Sequence, residues 1–167
     1  AFDGKLHTLL DDMKDTLEAA DGAGLAAPQV SVLRRACIVS TEDGFFELIN
    51  PVLVSAEGKQ TGIEGCLSVK GKYGTVTRAE KIKVEADDRF GKKRVYEVSG
   101  FTARAFQHEM DHLDGVLTPR SVPTCKTKNE SPFSRNSGFF RRRTARACRE
   151  IRRCCRGDQS RQTVGTR

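Results

Sequence analysis

The stretch QHEMDHLDG, from Gln107 to Gly115, decides how the rest of the chain is interpreted. It places two histidines, His108 and His112, four residues apart, with Glu109 beside the first. On an α-helix this spacing brings both imidazoles to one face, where they can bind one divalent metal. Two histidines do not complete a catalytic metal site, so another segment must supply a third protein ligand.

The composition describes one globular domain followed by a basic tail. The chain has 167 residues, enough for a single domain around one core. From Arg120 onward fourteen Lys and Arg face three acidic residues, whereas the first 119 residues hold fifteen against nineteen. The net charge of +7 therefore belongs to the tail. The body has the charge of an ordinary, mildly acidic globule.

Neither a membrane span nor a secretory signal is recognisable in the sequence. It has no apolar run of about eighteen residues, and its first thirty residues lack a basic start followed by an apolar stretch. We therefore expect a reducing compartment, either the bacterial cytoplasm or an organellar matrix or stroma, and no membrane partner. The cysteines are unevenly distributed: Cys37 and Cys66 lie in the body, and the others crowd the tail, at Cys125, Cys148, Cys154 and Cys155.

The body has an α+β pattern. Apolar residues at helical spacing predict an amphipathic helix over roughly residues 4–20, with Asp3 as its N-cap. A second helix, over about residues 101–113, contains the histidine pair. We therefore expect small antiparallel or mixed sheets around a central helix that contains the HExxH motif, with an additional N-terminal helix. The predicted strands are 36–40, 47–55 with a break at Pro51, 75–77, and a hairpin of 81–87 with 94–99.

Several residues outside the histidine pair are candidates for the third metal ligand. One zinc-protease pattern requires a histidine three residues after the glycine, but Thr118 stands there. A downstream glutamate would serve, yet Glu130 and Glu150 lie in an arginine-rich segment with little apolar content. His7 lies on the first predicted helix, where a histidine is more often solvated or hydrogen-bonded.

Cys66, in the stretch EGCLSV, is the remaining candidate. A lone cysteine between a glycine and an apolar pair is more often a buried structural thiol. Together with His108 and His112, however, it would provide one sulfur and two nitrogen ligands. That set leaves a fourth position open, as catalytic sites require.

Three segments resemble the signature blocks of the peptide deformylase family. They are GAGLAAPQ (residues 22–29), EGCLS (64–68) and QHEMDHLDG (107–115), in the family's order and with similar separations. The likeness extends over roughly residues 1–117. The family often has Pro where Lys70 stands and commonly a substrate-side Arg where Tyr73 stands. These two differences bear on peptide preference and leave the metal ligands intact.

The resemblance implies a metal-dependent hydrolase that removes the formyl group from the N-terminal formylmethionine of nascent polypeptides, a step of N-terminal processing in protein biosynthesis. It implies Cys66, His108 and His112 as ligands, with Fe(II) as the native metal and Zn(II) or Ni(II) as replacements. A thiolate ligand is compatible with zinc or ferrous iron. The metal would lower the pKa of a bound water. Glu109 would take the proton of that water and return it to the leaving amine.

The resemblance also implies roles for residues outside the ligand set. The Leu67 backbone N–H and the Gln29 side-chain amide would donate to the oxyanion. Backbone groups would bind the substrate as an added strand, because glycine allows close approach. Considered alone, Gly22 and Gly24 are better explained as a helix stop and a turn. The implied substrate-binding residues are Gly22, Ala23, Gly24 and Gly65.

Four further residues are interpreted from the pattern around the site. Glu64 and Gln107 are interpreted as hydrogen-bonding residues that support the ligands. Arg78 and Glu80 are interpreted as surface residues of a strand. None of the four is expected to take part in the chemistry.

Two other functions remain open on the sequence. One is a zinc peptidase that uses the same HExxH helix, and the other is an inactive or nucleic-acid-binding protein that acts through its basic tail. Over residues 141–156, small and apolar residues at helical spacing lie opposite a basic face. Such a helix could contact ribosomal RNA through its phosphates, without recognising a specific nucleic acid sequence.

The sequence predicts two segments of different character. Residues 1–119 are expected to form a deformylase-like catalytic domain without the family's usual N-terminal segment. Residues 120–167 form a basic tail rich in Cys and Arg, which is expected to be disordered or an off-frame reading of the end of the gene.

Overall fold

The computed structural model describes residues 2–117, so the basic tail and its predicted features lie outside the described residues. Within this part of the chain, no helix is long and apolar enough to cross a membrane. The elements are α1 (Gly4–Ala20), β1 (Gly24–Ala26), a 3-10 helix (Ala27–Val30), β2 (Ala36–Thr41), β3 (Gly44–Glu57), β4 (Gln60–Cys66), β5 (Val69–Arg78), β6 (Lys81–Asp87), β7 (Lys93–Ser99) and α2 (Gly100–Leu113).

Two antiparallel sheets form the β part of the fold. One has five strands in the order β1-β2-β3-β6-β7, and the other is the β4-β5 hairpin. Each strand pair in residues 2–117 is antiparallel. The α+β class with antiparallel sheets, predicted from the sequence, is confirmed.

Helix α1 forms where its apolar spacing predicts it. The Asp3 side chain caps the helix by accepting a hydrogen bond from the Leu6 amide at 3.0 Å. Asp21 ends it in the left-handed conformation, and the Gly22 amide donates to the Leu17 carbonyl. The apolar face of the helix packs on β1, β2 and β3, and the cluster includes Leu6, Leu10, Met13, Leu17, Leu25, Ile38 and Ile49.

Helix α2 packs on the five-stranded sheet through Phe106, which is fully buried. The rings of Phe46 and Tyr96 meet the Phe106 ring edge-on, at centroid distances of 5.2 and 6.1 Å. Ala103 lies in the same apolar cluster. Because Phe106 lies two residues before His108, this packing also fixes the part of α2 that contains the histidine pair.

The strands differ from the prediction at four places, and one of them is β5, which spans Val69–Arg78 where the sequence predicts 75–77. β3 continues through Pro51, and a bulge between Ile49 and Val52 absorbs the proline, which has no N–H to give to the ladder. Asn50, at this bulge, has a φ of 51°. The strands β1 and β4 are absent from the prediction, because β1 has three residues and β4 mixes glycine with polar residues.

The interpretation of Arg78 as a surface residue is wrong. Its side chain is only 7% exposed and pairs with Glu64. Side chains alternate between the two faces of a strand. Thr75 and Thr77 of β5 are exposed on one face, and Arg78 lies on the opposite face, which contacts α2.

Candidate metal centre

Three side chains from two elements converge on one point. Cys66 comes from the end of β4, and His108 and His112 come from α2. One ligand atom from each residue lies within 4.8 Å of the other two. Cys66 Sγ is 3.2 Å from His112 Nε2, and the two imidazole centroids are 4.9 Å apart. This donor set fits a tetrahedral metal site with one position open to substrate or water.

The surroundings of Cys66 favour its metal-binding form. Burial opposes ionisation of the thiol, but the neighbouring imidazoles of His108 and His112 outweigh it and lower the pKa of Cys66 to about 5. The thiolate is the form that binds metals. The environment therefore prepares Cys66 to act as a ligand at neutral pH.

Glu109 lies next to the ligands and has an unusual environment for a carboxylate. It is 3% exposed, and its Oε2 has no hydrogen-bond partner among the described residues. Burial raises the pKa of Glu109 to about 7, against the attraction of the two imidazoles. A buried polar atom without a protein partner indicates a place where water or a ligand binds. Glu109 is therefore suited to accept and release a proton.

Gly24 of β1 leaves the space that the Glu109 side chain occupies. A Cβ atom at position 24 would lie 2.7 Å from both Cγ and Cδ of Glu109. The Ser40 amide donates to the Ala23 carbonyl, so by the alternation of an antiparallel ladder the N–H and C=O of Gly24 point away from β2. They face the open edge of β1, which is the edge strand of its sheet.

The side-chain amide of Gln29 is held with its NH₂ group towards the ligands. Its Oε1 accepts a hydrogen bond from the Ala26 amide at 2.8 Å. Its Nε2 lies 3.0 Å from Ser68 Oγ and 3.8 Å from Cys66 Sγ. Leu67, the second predicted oxyanion donor, directly follows Cys66 in the turn between β4 and β5. The structure thus places both predicted donors beside the metal ligands.

The other predicted substrate-binding residues have different surroundings. The Gly22 amide already donates to Leu17 at the end of α1, and the Ala23 carbonyl accepts from Ser40. Gly65 pairs with Tyr73 across the hairpin, and a Cβ at position 65 would lie 2.8 Å from the Tyr73 ring. Gly24 therefore has the backbone best placed to meet an added strand on the β1 side.

Glu64 connects a ligand to a buried charge network. Its Oε2 lies 3.0 Å from His108 Nδ1, and Arg78 Nε and Arg104 Nη1 lie 2.6 and 2.7 Å from its Oε1. Burial opposes its charge, but His108 and Arg78 outweigh it and lower the pKa of Glu64 to about 2. An ionised carboxylate on Nδ1 fixes the ring and leaves Nε2 as the nitrogen that would bind a metal. The prediction that Glu64 supports a ligand agrees with this geometry.

The structure adds two residues that the sequence interpretation missed or misplaced, Arg78 and Arg104. Arg104 is 7% exposed and lies four residues before His108, on the same face of α2. An arginine on the buried face of an amphipathic helix signals a buried ion pair, and this signal could have identified it. Gln107 has a structural role, because its Nε2 donates to the carbonyls of Ala79 and Ala103.

Comparisons with known proteins agree with this geometry. Residues 1–128 match the model of the polypeptide deformylase family. Peptide deformylase 1 of Bacillus subtilis (strain 168) is 53% identical over 131 residues, which cover 77% of this chain and 82% of the relative. A peptide deformylase structure from Legionella pneumophila is 45% identical with a TM-score of 0.67, and the match covers 70% of this chain and 71% of that one. A Met-Ala-Ser-bound class I type b peptide deformylase from Acinetobacter baumannii is 35% identical with a TM-score of 0.66, covering 69% and 80%.

Proposed function

The chain belongs to the polypeptide deformylase family, and from that premise we propose which of its residues perform the reaction. The enzyme is a hydrolase of protein biosynthesis that removes the formyl group from the N-formylmethionyl ends of nascent polypeptides. The two alternatives left open by the sequence, a zinc peptidase and a nucleic-acid-binding protein, receive no support from these relatives.

The proposed metal ligands are Cys66, His108 and His112. The family is metal-dependent, and the convergence of these three side chains supports the assignment. We propose Fe(II) as the native metal, with Zn(II) or Ni(II) as replacements, because one thiolate with two imidazoles suits each of these ions. When bound, the metal acts as a Lewis acid that polarises the formyl oxygen and makes a coordinated water acidic near neutral pH.

Glu109 is proposed as the group that moves the proton. It takes a proton from the attacking water and returns it to the amine nitrogen that leaves the formyl carbon. Its position next to His108 and its buried Oε2, which has no partner within residues 2–117, support this role. Because the carboxylate lies against Gly24, a peptide on the open edge of β1 would bring its formyl end within reach.

Gln29 and Leu67 are proposed to stabilise the oxyanion that forms on the formyl oxygen. The Gln29 amide is already oriented, since Ala26 holds its oxygen and its nitrogen lies on the Cys66 side. Donors that are fixed before the reaction stabilise the developing charge without reorganising during it. The Leu67 backbone N–H would be the second donor.

The peptide is proposed to bind in extended form along β1. The outward N–H and C=O of Gly24 offer strand pairing, and Gly65 would contact the chain from the hairpin side, with Gly22 and Ala23 at the start of β1. The relative from Acinetobacter baumannii that binds Met-Ala-Ser supports a peptide ligand of this size. Tyr73, which packs on Gly65, is placed to affect which peptides are preferred.

The domain boundary and the location of the enzyme are also proposals. We place the catalytic domain at residues 1–119; the family match covers these residues and continues to residue 128. Bacterial and organellar ribosomes start chains with formylmethionine, so the enzyme would act in the cytoplasm, matrix or stroma, with the ribosome as a candidate partner. The proposal includes neither a membrane nor a specific nucleic acid sequence.

The convergence of Cys66 with the two histidines is the observation that supports this function most strongly. To test it, Cys66→Ala and the control Cys37→Ala are purified with equal metal supply, and their metal content and deformylation of formyl-Met-Ala-Ser are measured. Cys37 is a fully buried thiol of the apolar core. We expect one equivalent of metal and activity in the Cys37 variant, and loss of both in the Cys66 variant. One equivalent of metal in Cys66→Ala would contradict the ligand assignment.

A further inference from the structure

The hairpin that contains Cys66 is attached to the rest of the domain in an unusual way. The β4-β5 sheet shares no ladder with the five-stranded sheet. Within residues 2–117, neither strand contributes a residue to the two apolar clusters of the core. The inward face of the hairpin instead presents Gln60, Glu64 and Arg78 to α2. Leu67, in the turn of the hairpin, packs on the apolar cluster of α1, and the contacts of the two strands with α2 are polar.

Arg104 makes several of these contacts with one guanidinium group. Its Nη1 donates to Glu64 Oε1 at 2.7 Å and to the Val76 carbonyl of β5 at 3.1 Å. Its Nη2 donates to the Gln60 carbonyl of β4 at 3.2 Å. Both strands of the hairpin are thus joined to α2, one helical turn before His108.

The route of Arg104 into the hairpin depends on a glycine. A Cβ atom at Gly62 would lie 3.2 Å from Arg104 Nη2 and 3.3 Å from its Cζ. Any side chain at position 62 would therefore press on the guanidinium. A planar group with donors in fixed directions suits this narrow space better than the single ammonium of lysine.

We propose that Arg104 is a positioning residue of the metal centre, which holds β4 and β5 on α2 at the distance at which Cys66 shares one metal with His108 and His112. The inference rests on the ligand set of the proposed function. Arg104 also holds Glu64 on the oxygen next to the one that contacts His108. The same guanidinium therefore influences both the place of the thiolate and the orientation of one imidazole.

The test compares cobalt binding in full-length apoproteins. Co(II) is titrated into the wild type, Arg104→Met and Arg104→Lys, and the dissociation constant and the thiolate-to-cobalt charge-transfer band are recorded. The control is Arg89→Met, because Arg89 forms ion pairs with Asp11 and Glu47 away from the ligands. The unfolding midpoint of each variant shows how much general stability is lost.

We expect Arg104→Met to bind Co(II) roughly 10 to 100 times more weakly, the usual effect of removing a group that orients metal ligands. Its charge-transfer band should be weaker or shifted, and Arg104→Lys should recover part of the affinity. Arg89→Met should lose stability and keep the wild-type affinity and band. A purely structural role for Arg104 would make the two methionine variants alike in both cobalt measurements.

Two results would overturn the inference. One is a folded Arg104→Met with the wild-type Co(II) affinity and band. If that variant does not fold, Gly62→Ala replaces it, because the added methyl would push the guanidinium by a few tenths of an ångström without removing it. Gly62→Ala should bind Co(II) several times more weakly, and unchanged binding would overturn the inference. A wild-type protein without the charge-transfer band would instead contradict the assignment of Cys66 as a ligand.

Discussion

The Glu109 carboxylate and the Gly24 backbone occupy adjoining space, and the absence of one side chain makes this contact possible. The carboxylate is buried, its Oε2 has no partner in the part of the chain that the structure describes, and it lies beside the open edge of β1. A glycine at position 24 therefore serves two purposes. It allows the strand to approach α2 closely, and it leaves room for the Glu109 carboxylate between the proposed metal ligands and the open edge of β1.

Gly24→Ala should reduce deformylation while the metal stays bound. The new Cβ would overlap the Glu109 side chain, and a displacement of about 1 Å in a catalytic group can lower the rate by roughly a hundredfold. The measurements are kcat/KM for formyl-Met-Ala-Ser and the metal content. Gly4→Ala is the control, since nothing lies within 4 Å of a Cβ at that position. Wild-type kcat/KM in Gly24→Ala would show that the carboxylate needs no such space.

The proposed metal ligands and the supporting Glu64 stand in recognisable sequence patterns, whereas Arg78 and Arg104 give a much weaker signal in the sequence. Cys66, His108 and His112 stand in patterns whose spacing has a metal-binding meaning. Arg78 and Arg104 stand in no such pattern, and their partner Glu64 is distant in sequence. Their burial becomes visible once β4 and β5 are paired and their inward face is known. Which strands pair is decided in the folded chain, and the sequence of a short segment does not reveal it.

Among the elements, helix α2 contacts both the five-stranded sheet and the β4-β5 hairpin. It packs on the five-stranded sheet through Phe106 and on the hairpin through Arg104. One face of this helix is thus apolar and another is charged, although both are buried. The apolar contacts hold α2 on the five-stranded sheet. The charged contacts hold the β4-β5 hairpin on α2.

Phe106→Ala should strongly destabilise the domain. The side chain is fully buried and meets two aromatic rings, and removing a buried phenylalanine costs about 3–5 kcal/mol of the free energy of unfolding. Urea unfolding measures the change. Val95→Ala is the control, because Val95 is 54% exposed on β7 and should change the free energy by less than about 1 kcal/mol. Equal losses in the two variants would contradict the packing described for α2.

The elements that the sequence predicted best have strong local signals. α1 has apolar residues at helical spacing and a capping aspartate, and β6 and β7 alternate around the turn that contains Gly91. β4 has two glycines among its seven residues and few apolar ones, since its inward face meets charges. The hairpin packs on α2 through polar side chains, so its strands lack the alternating apolar residues from which a strand is predicted.

In the molecule as a whole, the metal would join the β4-β5 hairpin to the part built on the five-stranded sheet. No backbone hydrogen-bond ladder connects these two sheets. One ligand belongs to the hairpin, and two belong to the helix that packs on the five-stranded sheet. A ligand that binds only the folded protein stabilises it by mass action. The metal should therefore contribute to the stability of the domain as well as to the reaction.

Removal of the metal by a chelator should lower the melting temperature reversibly. At a metal concentration of a thousand times Kd the loss corresponds to about 4 kcal/mol, or roughly 10 °C for a chain of this size. Differential scanning calorimetry of the full chain, before and after chelation and after Co(II) is restored, measures the shift. Cys66→Ala should show no shift under the same treatment. If chelation leaves the melting temperature of the wild type unchanged, the metal does not stabilise the contact between the two parts.

In the proposed reaction Glu109 moves the proton while Cys66, His108 and His112 hold the metal. The most direct measurement determines metal content and deformylation of formyl-Met-Ala-Ser side by side for the wild type and Glu109→Gln. Both proteins should contain one equivalent of metal, and the variant should lose about two to four orders of magnitude in kcat. Loss of the metal from Glu109→Gln, or activity close to that of the wild type, would contradict the claim.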